Sequence, residues 1–436
     1  MKKSFNTLHI AIVLLIVISL STSASSISFS QQNATNTFVF ESTNLKTANS
    51  QKITDIISMI DETIIREYLE TLLGFGPRVT GSEACEKAAQ YIHQQFTDMQ
   101  LIARYQNWTA LGNRYNNHLY TSQNVEGTLK GTNTMDKSSI IFNAHYDSIE
   151  GGLGANDDGS GTVAVLAAAY TLSHFDFKRT VKFVTFSGEE VGLCGSCAYA
   201  KEAYERNESI LVEINADMVG HDEGSRTTRI TASEDAGWMA EIFRIINNNY
   251  SIGLTVNRGN INRVHRGLGG SDYAPFLLYG WESICCWEGD HDPNFHTAQD
   301  NLSNVNISYL VNMTRIIAAS IAQLADLTET PPQVRITSPH VGFLYKNGIQ
   351  ERAISEFKTI VINDIGIYAE VDYATVPLER AEFYYDGKLA FTDTEAPFEW
   401  QFNKFSFRNH EITVYVYDQL GRNTSDWREI RFINIF

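Results

Sequence analysis

The chain has 436 residues, enough for two or three domains of ordinary size. It is 43% hydrophobic and 19% charged, which excludes a disordered chain. A formal net charge of −17 opposes binding to nucleic acid or to an anionic membrane surface.

The N-terminus has the order of a secretory signal. Lys2 and Lys3 precede an aliphatic run from Leu8 to Leu20, and Thr22 and Ala24 come next as small residues. The run is short for a membrane span, which needs about 20 residues. Residues 1–24 are therefore expected to be a signal peptide and the protein to be secreted; left uncleaved, the segment would act as an anchor. No later stretch reads as a membrane helix. Asn-x-Ser/Thr sequons at Asn107, Asn207, Asn249, Asn301, Asn306, Asn312 and Asn423 agree with export. Residues 25–50, rich in Ser, Thr, Asn and Gln, read as a flexible linker.

From Ile53 to Leu73 apolar residues recur at helical spacing, and Gly74 and Gly76-Pro77 stop that helix. Thr80-Gly81-Ser82 opens another. Strands and helices then alternate. Ile140–Phe142, Thr180–Phe186, Ile210–Asp217 and Ser283–Trp287 read as strands. Thr162–His174, Trp238–Asn248 and Ser308–Leu327 read as helices. This alternation predicts an α/β domain over 51–328, with a mostly parallel sheet covered by helices. After Thr330-Pro331-Pro332 only short alternating runs remain, separated by turns such as Asp386-Gly387. Residues 333–436 are expected to form a small immunoglobulin-like β-sandwich, an accessory domain for cell-surface or carbohydrate attachment.

The chain has five cysteines. Cys194 and Cys197 form a CxxC, Cys285 and Cys286 are adjacent, and Cys85 stands alone. Zinc-ribbon spacing is absent. Two readings stay open: a disulfide between the two pairs after export, or small buried apolar residues.

Polar residues cluster where apolar strand runs stop. Ala144-His145-Tyr146-Asp147 comes after the first strand. Asn156-Asp157-Asp158-Gly159-Ser160-Gly161 leads into the Ala-rich helix. Ser187-Gly188-Glu189-Glu190 comes after the next strand, and Asn215-Ala216-Asp217 closes another. In open α/β sheets ligands bind at the carboxyl ends of the strands, so these points should meet on one rim. His296 lies in a loop before the last long helix. Each piece alone is ordinary: Asp-Asp-Gly commonly marks a turn and paired Glu residues a solvated face. Together they offer imidazole and carboxylate, the ligand set of a catalytic zinc.

With His145, Asp157, Glu190, Asp217 and His296 as ligands, two zinc ions against three carboxylates and a bridging hydroxide come out near neutral. A single zinc would leave excess negative charge in a poorly solvated pocket. Glu189 is then available as a general base. Asp147 and Asp300 are placed to hydrogen-bond the free ring nitrogens of His145 and His296.

The ordered segments AHYDS, GANDDGSG, FSGEEVGL, NADM and FHTAQD, preceded by GPRVTGS, resemble the co-catalytic zinc aminopeptidase family. That family also holds glutamate carboxypeptidases and glutaminyl cyclases. The resemblance covers roughly residues 60–327. It implies that 51–328 is a catalytic domain, a central mixed sheet with helices on both faces, holding two zinc ions bridged by Asp157. His145 and Asp217 would complete one site, Glu190 and His296 the other, with Glu189 as general base and a cis Asp157–Asp158 peptide. The substrates would be peptides, cut at the N-terminal residue.

One region departs from the pattern. Relatives often have Ser-Asp-His where this chain has Ser271-Asp272-Tyr273, leaving Asp272 as a substrate-side acid. Arg263, His265 and Arg266 are the candidates to polarise the carbonyl, and the sequence does not choose among them. The Gly267–Gly270 run is either a pocket wall or a turn. Rival readings are glutaminyl cyclase chemistry, which uses one zinc; carboxypeptidase chemistry, for which Arg258, Arg263 and Arg266 would hold a carboxylate; and a binding protein that lost catalysis. The last predicts missing ligands, whereas all five and Glu189 are present. No G-x-S-x-G elbow and no HExxH helix occurs.

Overall fold

The computed structural model describes residues 50–112, 118–261, 270–354 and 358–434. The predicted signal segment, the predicted linker up to residue 49, and Arg263, His265, Arg266 and Gly267–Gly269 lie outside the described residues.

The first predicted helix is two helices, α1 (Ser50–Met59) and α2 (Glu62–Leu73). Asp61 is the reason for the break. Its backbone is extended and its carboxylate accepts from the Thr63 and Ile64 amides, capping a new helix inside an unbroken apolar period. α3 (Glu83–Asp98) starts as expected, with Ser82 capping Cys85. Strands β1 (Ile102–Leu111) and β2 (Leu119–Leu129) form an antiparallel pair that periodicity does not reveal.

β3 (Ser139–His145), α4 (Gly159–Leu172), β4 (Thr180–Phe186), α5 (Cys194–Glu205) and β5 (Ile210–Ala216) come next. After them come β6 (Thr227–Ala232), α6 (Gly237–Asn249), β7 (Thr255–Asn260), α7 (Ala274–Leu278), β8 (Ser283–Glu288) and α8 (Ile307–Asp326). The sheet order is β1-β2-β4-β3-β5-β8-β6-β7. Its centre, β4-β3-β5-β8, is parallel; outside it β1-β2, β2-β4 and β8-β6 pair antiparallel and β6-β7 parallel, so the sheet is mixed.

Central strands are buried on both faces, which is why they read as continuous apolar runs. Ile140, Phe142 and Ala144 of β3 enter one core with α1, α2, α4, α6 and α8. Ile141 faces the other way, joining Val184, Phe186, Tyr199 and Phe276. α4 has no polar stripe and is buried nearly all round. α8 is apolar and long enough to cross a membrane, but 89% of its apolar window is buried inside the protein, as for a core helix.

No disulfide joins the cysteines among the described residues. Successive strand residues point to opposite faces. Cys286 therefore enters the main core, and Cys285 joins Leu193 and Tyr273 in a smaller cluster.

The described residues of 333–434 form strands and no helix. β9 (Gln333–Ser338), β13 (Ile365–Tyr373) and β16 (Phe398–Phe402) make a three-stranded sheet. A seven-stranded sheet holds β10 (Phe343–Lys346), β11 (Ile349–Ala353), β12 (Thr359–Ile362), β14 (Leu378–Tyr385), β15 (Lys388–Asp393), β17 (Asn409–Asp418) and β18 (Asn423–Ile433). The two sheets share one core, including Ile336, Ile367, Phe383, Trp400, Val414 and Phe432.

Candidate active site

β3, β4 and β5 run in parallel and end on the same edge, so the residues at and just beyond their carboxyl ends meet there. His145 is the last residue of β3, Ser187-Gly188-Glu189-Glu190 comes directly after β4, and Asp217 directly after β5. Asp157 and Asp158 lie just before α4, joined by a cis peptide as expected.

Asp157 sits between the two histidines. Its Oδ1 is 3.2 Å from His145 Nε2 and its Oδ2 is 3.1 Å from His296 Nε2. Asp217 Oδ1 is 3.9 Å from His145 Nε2, and Glu190 Oε2 is 3.1 Å from His296 Nε2. Two groups able to hold a metal ion result: His145, Asp158 and Asp217, and Asp157, Glu190 and His296. The five residues singled out as ligands are thus brought together. Asp158, which by residue type alone reads as a turn former, joins them.

Asp158 has several roles at once. Its Oδ2 accepts from the His145 amide at 3.2 Å, and its Oδ1 accepts from the Gly161 and Met218 amides at 2.9 and 3.2 Å. It therefore caps α4 while fastening β3 to the end of β5. A Cβ at Gly161 would lie 2.2 Å from Ala216 O and 2.5 Å from the Asp158 carboxylate, so only glycine fits.

Asp147 joins the histidine to the candidate base. Its backbone oxygen is 3.2 Å and its Oδ1 3.6 Å from His145 Nδ1. Its carboxylate accepts from the Glu189 and Glu190 amides at 3.3 and 3.4 Å and from Thr80 Oγ1 at 2.8 Å. Glu189, 4% exposed, is held on this turn.

Asp300 does not orient His296. Its two oxygens accept from the Asn156 and Asp157 amides at 2.7 and 3.0 Å, so it shapes the loop that presents Asp157. His296, at φ 57°, is covered instead by Phe295, whose ring stacks 3.8 Å away.

Arg78, inside the GPRVTGS stretch, is a support that sequence reasoning does not single out. It is fully buried and donates to the carbonyls of Tyr146, Leu153 and Gly154 at 2.7, 2.6 and 2.9 Å. It thus pins both the His145–Asp147 segment and the loop before Asp157. Arg78→Met should cost about 3 kcal/mol or more by orphaning these carbonyls, read as a lower denaturation midpoint. Arg78→Lys should not restore it, because an ammonium cannot reproduce the planar fork.

The electrostatics ask for a cation. Burial pushes Glu288 to about 9, Glu213 to about 8, Asp272 to about 7 and Asp300 to about 6. Burial also holds Asp158 well above the carboxylate range. Burial alone would raise Asp157, but the adjoining His145 and His296 rings outweigh it and hold the carboxyl low. Asp157 and Glu190 lift His296 to about 10. Asp272 is fully buried and feels the charges of His145, Asp147 and Asp217. Such carboxylate density with two imidazoles fits divalent metal by donor type and by charge.

Residues 124–321 match the model of Peptidase family M28. Aminopeptidase YwaD of Bacillus subtilis is 27% identical over 224 residues, 49% of this chain and 47% of that protein. Aminopeptidase Y of Saccharomyces cerevisiae is 29% identical over 236 residues, 50% of this chain and 42% of that protein. The chain thus spans less than half the length of these curated relatives. The solved aminopeptidase from Aneurinibacillus sp. strain AM-1 superposes with a TM-score of 0.53 at 18% identity, covering 63% of this chain and 96% of that one. The matched segment holds every residue of the two metal-holding groups, and over that segment the chain is similar to Peptidase family M28.

Proposed function

We propose that the protein is a secreted aminopeptidase holding two zinc ions and hydrolysing the first peptide bond of its substrates. The observation that carries this reading is Asp157, with one oxygen toward each of two histidine–carboxylate groups, the first buried and the second half-buried at His296. Asp157, His145 and Asp217, with Asp158 beside them, would hold one ion, and Asp157, Glu190 and His296 the other. Bound zinc would supply Lewis-acid polarisation of the scissile carbonyl and acidify a neighbouring water.

Glu189 takes the proton of the attacking water and returns it to the departing amine. Asp147 keeps Glu189 in place by accepting from its amide, so the base and His145 move as one unit. The buried acids favour the substrate's free α-ammonium, which makes the enzyme count from the N-terminus.

The carboxypeptidase alternative loses one of its three basic candidates: Arg258 is engaged by Glu241 and the Gly237 carbonyl. Among the sequons, Asn107 and Asn249 are exposed and available to a glycan, whereas Asn312 is buried in α8.

The test is zinc content measured with activity on aminoacyl-p-nitroanilides, N-blocked peptides and N-terminal Gln peptides. About two zinc ions per chain are expected, as the two donor groups require, with cleavage of free-amine substrates alone. One zinc with ammonia released from Gln peptides would replace this reading with a cyclase.

A further inference from the structure

We propose that residues 333–434 clamp the active site by gripping the far ends of the two helices that carry the Glu189–Glu190 turn and the Asp272 turn. Tyr204 and Arg428 are then positioning residues for the hydrolysis, an inference that rests on the aminopeptidase reading for its kinetic part only.

α5 begins directly behind the base. Leu193 N donates to Glu189 O at 3.0 Å and Cys194 N to Gly188 O at 2.9 Å, so the turn and the helix are hydrogen-bonded together. At the other end of α5, Tyr204 Oη lies 2.6 Å from Nδ1 of His340, a residue of the β-region. Twelve residues separate the grips by about 18 Å of helix.

α7 repeats the arrangement. Its approach carries Asp272, and Ala274 N donates to Ser271 O at 3.0 Å. Its exit, Tyr279–Gly280, meets β18. Arg428 Nη2 donates to Tyr279 O at 3.3 Å and to Ile336 O at 3.1 Å, while Arg428 Nη1 pairs with Asp426 at 2.7 Å. Asp426 packs so close to Gly280 that a Cβ there would lie 2.6 Å from its carboxylate. Nearby, Asp235 accepts from the Ser425 amide and hydroxyl at 2.6 and 2.7 Å.

The two helices are joined by aromatic rings. Tyr204 stacks on Tyr279 at 4.7 Å, Phe276 lies 6.1 Å from Tyr199, and both Tyr199 and Phe276 touch Phe186, at 5.5 and 6.3 Å. Phe186 is the last residue of β4, immediately before Ser187-Gly188-Glu189. Packed rings have few alternative arrangements, so an anchor at the seam is felt at the turn.

Arg428 and Asp426 are 2% and 1% exposed. A buried ion pair adds little stability over a well-packed apolar pair, so fixing one geometry is the better account of it.

The experiment uses the full zinc-loaded chain with two variants, Tyr204→Phe and the double Asp426→Asn/Arg428→Met, which removes both charges rather than stranding one. Hydrogen exchange is followed over 187–205 and 271–282, with β3 as the reference, and kcat and KM are measured separately on an aminoacyl-p-nitroanilide. Exchange in the affected segment should rise about 10-fold while β3 stays protected. Tyr204→Phe should act mainly on kcat, by about 10-fold, because its helix carries the base. The double variant should act mainly on KM, because its helix carries Asp272. A merely structural role would lower the active fraction equally in both and leave KM alone. Wild-type exchange in both segments, or equal loss of kcat with unchanged KM in both variants, would overturn the clamp. Raised exchange in a chain that never cleaves the substrate, wild type included, would sustain the clamp and sink the aminopeptidase reading.

Discussion

Glu189→Gln is expected to lower kcat by about 10²- to 10⁴-fold, the range supplied by a positioned general base, while zinc content stays at the wild-type level. The amide keeps the size of the carboxylate, and its backbone N–H still donates to Asp147 Oδ1 at 3.3 Å, so the turn should keep its shape. The ability to accept a proton from the attacking water and pass it to the leaving amine disappears. Zinc stoichiometry by elemental analysis beside steady-state rates checks it. Wild-type kcat in a fully loaded variant would remove Glu189 from the chemistry. Loss of zinc along with rate would make Glu189 a ligand instead of a base.

Much of the site is legible in the sequence because its strands are buried on both sides. Such a strand is a continuous apolar run, and the first polar residue after it marks the sheet edge. Ile140–Phe142 leads to His145 and Thr180–Phe186 to Glu189 in this way. The elements that escape have a different physical character. β1 and β2 have mixed burial, and residues such as Arg104, Gln106 and Asn124 satisfy one another or α5 rather than the core. Their sequence therefore lacks a clean alternation.

Support residues escape for another reason. Arg78 precedes Tyr146 by 68 positions and Asp300 lies 143 positions beyond Asp157, and both act through backbone amides or carbonyls that leave no trace in residue type. Proximity in sequence points Asp300 at His296, but its carboxylate is aimed at the loop before α4. Asp158 does form a turn, and the same N-cap geometry turns its carboxylate onto the His145 amide.

The second large effect is expected at Asp157. Removing one full charge about 4 Å from a bound cation, at an effective dielectric near 20, costs about 4 kcal/mol per unit of charge on the cation. Asp157→Asn should therefore weaken metal binding by about 10³-fold or more, as about 1.4 kcal/mol is a factor of ten. The variant tests something His145→Ala and His296→Ala cannot. Each histidine belongs to one group, so losing it should empty one position and spare the other. Asp157 faces both, with one oxygen 3.2 Å from His145 and the other 3.1 Å from His296, so its loss should weaken both at once. Titration with zinc against a competing chelator separates the cases. Two weakened sites in Asp157→Asn, against one in each histidine variant, would establish the shared carboxylate. One weakened site in Asp157→Asn would assign Asp157 to a single ion and leave Asp158, already within the His145 and Asp217 group, as the carboxylate serving the other.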